Sequence, residues 1–165
     1  MKIRVIASVG FFLLTACGYS TSVSGLYTAS PKVSIDSSSA PFFVEIVASQ
    51  YGPEVGGLVH LYSDDKFKVP LGNANKGCSC MPIESATVEN GKFSFIFNIP
   101  KGCINQGSDL VFFGFGFDAD SKKMQGYIKW QVKDSPNPNW QILGHEFTLT
   151  RSKILKELTI EDKKC

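Results

Sequence analysis

Residues 90–99 read NGKFSFIFNI. Phe93, Phe95, Phe97 and Ile99 recur at every second position, with Lys92, Ser94 and Asn98 between them, which is the period of a strand with one buried face. Asn90-Gly91 immediately before it is a two-residue hairpin signal, because both central positions of a type I′ turn need positive φ. A turn there pairs residues whose numbers add to 181. Val88 then faces Phe93 and Ala86 faces Phe95 on the apolar side, while Glu89 faces Lys92 outside. Apolar meets apolar and opposite charges meet.

The same alternation extends outward. Asp109–Asp118, DLVFFGFGFD, is nearly all apolar and predicts a strand buried on both faces. Phe113, Phe115 and Phe117 fall with Val111, and Gly114 and Gly116 fall opposite. Glycines inside a strand leave room for something large or mark a bulge. Trp130, alternating with Ile128 and Val132 beyond the loop Ala119–Lys123, is the candidate occupant. Further strands are expected at Phe42–Ser49, Leu58–Ser63, Ile142–Thr150 and Leu155–Glu161, with a short helix at Ser152–Leu158 as the rival for the last. The chain is read as all-β, a single antiparallel β-sandwich of about 7–9 strands over residues 41–165. Thirteen phenylalanines occur, and only Phe11 and Phe12 fall among the first sixteen residues. Burying each of the rest fully is worth about 1.5–3 kcal/mol.

GGLVHLYSDD and the later ATVENGKFSFIFNIPKG resemble transthyretin-like and carboxypeptidase-regulatory-type sandwiches, in which a strand precedes a D/E-x-G-x-F-x-F hairpin ending in a Pro-Gly-like turn. Pro100-Lys101-Gly102 departs from the adjacent Pro-Gly of that pattern. The resemblance implies a transthyretin-like or Ig-like sandwich and no particular activity.

Cys78, Cys80, Cys103 and Cys165 are an even set, and in an exported chain two disulfides are the default. The numbers of Cys78 and Cys103 also add to 181, so the hairpin register favours joining them and leaves Cys80 for Cys165. Pro82 and Pro100 interrupt the ladder before it reaches Cys78, so the exchanged pairing of Cys78 and Cys80 stays open. The one-residue gap in Cys78-Ser79-Cys80 is tighter than the usual zinc spacing, which disfavours a metal site.

Export is read from the N-terminus. Lys2 and Arg4 precede twelve uncharged residues, VIASVGFFLLTA. A helical bilayer span takes about 20 residues, so this run suits a signal peptide better. Leu14-Thr15-Ala16-Cys17 resembles the lipobox of bacterial lipoproteins, which implies removal of residues 1–16 and lipidation of Cys17. Gly18, in place of the aspartate associated with inner-membrane retention, implies an outer-membrane location facing the periplasm. Residues 17–40, with eight serines after Cys17, are read as a tether whose low hydrophobicity does not offset ordering entropy. Its interspersed Leu26, Tyr27, Val33 and Ile35 leave open the alternative that part of it pairs as an edge strand.

Charge excludes one class of partner. Of seventeen Lys and Arg, fifteen follow Cys17, against fifteen Asp and Glu. A balanced chain without a basic cluster has no nucleic-acid footprint. Catalytic patterns are missing too. Neither G-x-S-x-G, H-E-x-x-H nor a P-loop occurs. His60 alternates outward, about 13 Å along the strand from Asp64. His145 shares a face with Leu143, Phe147 and Leu149, which predicts a hydrogen-bonded histidine at the core edge. Asp118-Ala119-Asp120 lacks the glycine and distal glutamate of a calcium loop. No catalytic residue, metal ligand or cofactor is assigned. The expectation is a lipid-anchored, non-catalytic interaction or assembly module meeting an envelope protein, a general design that resembles secretion-system pilotins. The alternative is a small-ligand or glycan module built on Trp130, Trp140 and Tyr127.

Overall fold

A computed structural model describes residues 22–35, 40–51, 54–64, 69–71, 78–104, 107–119, 122–159, 163 and 165. Its strands are β1 (Gly25–Ser30), β2 (Phe43–Tyr51), β3 (Glu54–Asp64), β4 (Val69–Pro70), β5 (Cys80–Glu89), β6 (Lys92–Ile99), β7 (Leu110–Asp118), β8 (Lys123–Val132), β9 (Gln141–Ile142) and β10 (Phe147–Ile154). Neighbours are antiparallel throughout. The path β1-β2-β3-β5-β6-β7-β8 closes because β10 pairs with both β8 and β1. The molecule is therefore an eight-stranded up-and-down barrel, with β4 added beside β3 and β9 beside β8.

This overturns the expected sandwich, transthyretin-like or Ig-like. Alternating strands serve either architecture, and what decides between them is whether the sheet has edges. Here β1 removes the edges by pairing with β2 on one side and β10 on the other. Its residues lie inside the stretch read as tether. Leu26, Tyr27, Ala29 and Val33 are buried, so serine-rich flanks conceal a barrel strand. Residues 17–21 and 36–39 of that stretch, like the signal segment 1–16, lie outside the described residues.

The hairpin forms as its turn chemistry dictates. Asn90 and Gly91 have φ of 51° and 73°, and Val88, Ala86 and Glu89 pair with Phe93, Phe95 and Lys92. The ammonium of Lys92 turns instead to Asp118 on β7, at 2.7 Å. A register shift between Ile83 and Ser85 then puts Ile83 opposite Phe97. Beyond it β5 leaves β6 for β3, where Cys80 faces His60. Cys78 is bonded to Cys103 and Cys80 to Cys165, with Cα separations of 5.2 and 5.1 Å. The favoured pairing is thus present, although the ladder that suggested it stops at Ile83. Cys78 and Cys103 are buried, whereas Cys165 is exposed.

Phe93, Phe95, Phe97 and Ile99 of β6 enter the barrel with Phe112 and Phe117 of β7, Phe147 and Leu149 of β10, and Tyr27 of β1. An eight-stranded barrel is just wide enough for side chains to fill. The phase of β7 differs from expectation. Gly116, at φ 79°, sits in a bulge where the pairing slips between Phe93/Phe117 and Phe95/Gly114. Phe112, Gly114 and Phe117 therefore face inward, while Val111, Phe113 and Phe115 face outward and are half-buried. Trp130 is not what fills the space over Gly114. A Cβ there would stand 2.3 Å from the Phe95 ring, so Phe95 is the occupant.

The C-terminal segment differs from the expected strand as well. Leu155–Glu157 is a single 3₁₀ turn, and Leu158 packs on the outside of the barrel against Leu26 and Val47. The expected Ile142–Thr150 strand is divided between β9 and β10.

One buried polar group sets an alkaline limit. The Tyr27 hydroxyl donates to the Val23 carbonyl at 2.8 Å and accepts from Arg151 Nε at 2.8 Å, while Arg151 Nη2 donates to the Ser22 carbonyl. Burial pushes the Tyr27 phenol above its ordinary value, and Arg151 partly offsets this. The folded chain then holds its proton where the unfolded chain releases it. Stability is fully present below about pH 10 and is lost as pH rises past it, by up to about 1.4 kcal/mol per pH unit. Urea midpoints of wild type and Tyr27→Phe, compared from pH 9 to pH 11 in small steps (an interval chosen around the ordinary tyrosine value of about 10), are expected to converge as pH rises. A constant gap across that interval would show that Tyr27 does not carry the term.

Candidate functional site

The bulge at Gly116 turns Phe113 and Phe115 to the outer surface, and the register aligns them with neighbours. Ile96, Phe113, Lys129 and Ile142 form one row across β6, β7, β8 and β9, and Phe115 lies opposite Tyr127. Trp140 folds onto this wall from the segment just before β9. Ring centroids are 5.5 Å apart for Phe113 and Phe115, 6.2 Å for Phe113 and Trp140, and 6.0 Å for Phe115 and Tyr127. Tyr127 and Ile142 are 44% and 61% exposed.

Lys129 sits in the middle. Its Nζ lies 4.7 Å from the Trp140 ring centroid, 4.9 Å from Phe113 and 5.4 Å from Phe115. Such contacts are worth about 0.5–2 kcal/mol, increasing with desolvation. The rings attract the ammonium but leave its charge formally unneutralised. Among the described residues no carboxylate lies within ion-pair distance of it. The wall is thus an apolar, convex surface with one cation at its centre. It offers binding.

Of the three aromatic residues singled out from sequence, Tyr127 and Trp140 meet here. Trp130 does not; it pairs with Phe112 and packs against the core. Phe113, Phe115, Lys129 and Ile142 were not expected at a site. The signal was present in FFGFGF, since a bulge between the glycines turns Phe117 away from Phe113 and Phe115, but alternation alone keeps all three on one face.

The histidines remain apart in character. His60 faces outward, half-buried, with Nδ1 3.3 Å from the Tyr62 hydroxyl and Nε2 3.9 Å from Cys80 Sγ. Buried Glu45 lies opposite it on β2. His145 is exposed in the turn before β10 and rests on Phe147 at 4.8 Å, so it is not the core-edge residue expected. Among the described residues no three His, Cys, Asp or Glu side chains converge as a metal site. Asp118 is engaged by Lys92; Asp120, its companion in the acidic turn, and Cys17 lie outside the described residues. Comparison with protein-family models, curated proteins and solved structures finds no match.

Proposed function

We propose that this chain is a lipid-anchored, non-catalytic interaction module of the bacterial envelope, tethered through Cys17 at the outer membrane and facing the periplasm. It meets an envelope protein through the wall of β7, β8 and β9, in the manner of a pilotin-like escort. The observation that carries the reading is the cluster of Phe113, Phe115, Tyr127 and Trp140 around Lys129, flanked by exposed Ile142. Aromatic residues are enriched at protein interfaces and charges are depleted at interface cores. The barrel interior supports the same reading, because phenylalanine rings fill the space where barrels of this kind otherwise hold a ligand.

Tyr127 and Trp140 also favour the glycan alternative, since exposed rings with polar tips suit sugar stacking. Phe113, Phe115 and Ile142 bring no polar atom to accompany a hydroxylated ligand, which favours a protein. A photo-crosslinking residue at Ile142 in cells is expected to capture one recurrent envelope protein, and the same residue at Tyr51, 87% exposed on β2, is not. Equal capture at both positions, together with saturable sugar binding by the purified full chain, would replace this reading with the glycan one.

A further inference from the structure

The geometry points to the chemistry of the occupant: we propose that the wall binds a short segment of a partner protein in which a carboxylate side chain lies beside an apolar one. The inference rests on the interaction reading above and gives it a partner class. Its starting point is the ammonium of Lys129, which has ring contacts from Trp140, Phe113 and Phe115 and no carboxylate among the described residues. A lysine has three N–H donors and accepts nothing. Among the described residues none of these donors has a hydrogen-bond partner, so they are open to one from outside.

Covering the wall with any apolar surface would strip water from that ammonium and leave it unpaired, at a large cost. A carboxylate placed over Lys129 removes the penalty and forms a charge-assisted hydrogen bond in surroundings that the rings already make less polar. Ile142 is the next residue in the same row, one strand away from Lys129, or about 4.8 Å. Side chains three or four apart on a helix are spaced by about 5–6 Å. A segment with an acid and a leucine-like residue at that spacing therefore sets the acid on Lys129 and the apolar chain on Ile142. A neutral sugar leaves the ammonium without its counter-charge, and an apolar acyl chain does the same.

The test uses the full chain in detergent and two fluorescent peptides of equal length, one pairing leucine with aspartate at that spacing and one with asparagine replacing each aspartate. The acidic peptide is expected to bind saturably, and the asparagine peptide to bind about tenfold more weakly. Lys129→Glu should weaken the acidic peptide by at least about tenfold, while Lys129→Arg stays within about threefold of wild type. Retention of wild-type affinity in Lys129→Glu, equal binding of both peptides, or binding of neither would overturn the proposal. So would saturable binding of anionic vesicles or of an oligouronate in place of the peptide. The crosslink at Ile142 is read separately: capture of an envelope protein there with no peptide binding overturns the carboxylate partner while the interaction reading stands. Loss of both overturns the two together.

Discussion

Phe95→Ala is expected to lower the unfolding free energy by about 3–5 kcal/mol, near the upper end for a single core substitution. Phe95 is 1% exposed and lies at the centre of the aromatic interior, with ring centroids 5.4 Å from Phe93, 6.2 Å from Phe97 and 5.8 Å from Phe117. Closed barrels have little freedom to collapse around a lost ring, because every strand is held by two neighbours. The cavity therefore stays, and its cost adds to the lost transfer energy. Gly114 supplies an independent check. A Cβ at that position meets the Phe95 ring at 2.3 Å, so Gly114→Val is expected to cost about 1–3 kcal/mol by overpacking. The two changes occupy the same volume from opposite strands. Combined, they should destabilise by less than the sum of the singles, as contacting residues do. Urea denaturation of the four proteins measures this cycle. Strict additivity would mean that Phe95 does not rest on Gly114.

That pair also shows where sequence reasoning stops. The β5–β6 hairpin is legible because its cause is local: Asn90-Gly91 fixes the turn and the turn fixes the register. The inward phase of Phe93, Phe95 and Phe97 follows from alternation. Beyond a bulge the same rule inverts, and Gly116 hides that inversion because a strand glycine signals either room or a bulge. Sequence alternation placed Phe113 on one face with Phe117; the structure separates them, and the wall exists because of that separation. Closure is harder still to see. Thr28 pairs with Thr150 across more than a hundred residues, and neither GLYTAS nor its serine-rich surroundings carry a strong strand signature. Burial of Leu26 and Tyr27 is supplied by partners that are remote in sequence. The disulfides were legible by a route that is only partly physical, since the ladder breaks before it reaches Cys78.

Cys17→Ser is expected to abolish lipid attachment and release the chain from membrane fractions, the largest functional effect of any single change considered. The motive is the uncharged run ending in Leu14-Thr15-Ala16-Cys17. One acyl chain holds a protein only marginally at a bilayer, and two or more hold it stably. Loss of the residue that carries them therefore acts as a switch. The tether is short: from Cys17 to Ser22 is five residues, a reach of at most roughly 18 Å, so a lipid on Cys17 would keep Ser22 close to the bilayer. Such an anchor would offer the wall to periplasmic partners at the high effective concentration that tethering confers. Fractionation with labelled palmitate tests the claim. Wild type should carry label and sediment with membranes, and Cys17→Ser should do neither while keeping its barrel. Crosslinking through Ile142 should fall with it, because the surface is intact but no longer delivered. Label in the serine variant, or an unlabelled wild type, would remove the anchor and with it the delivery of the wall.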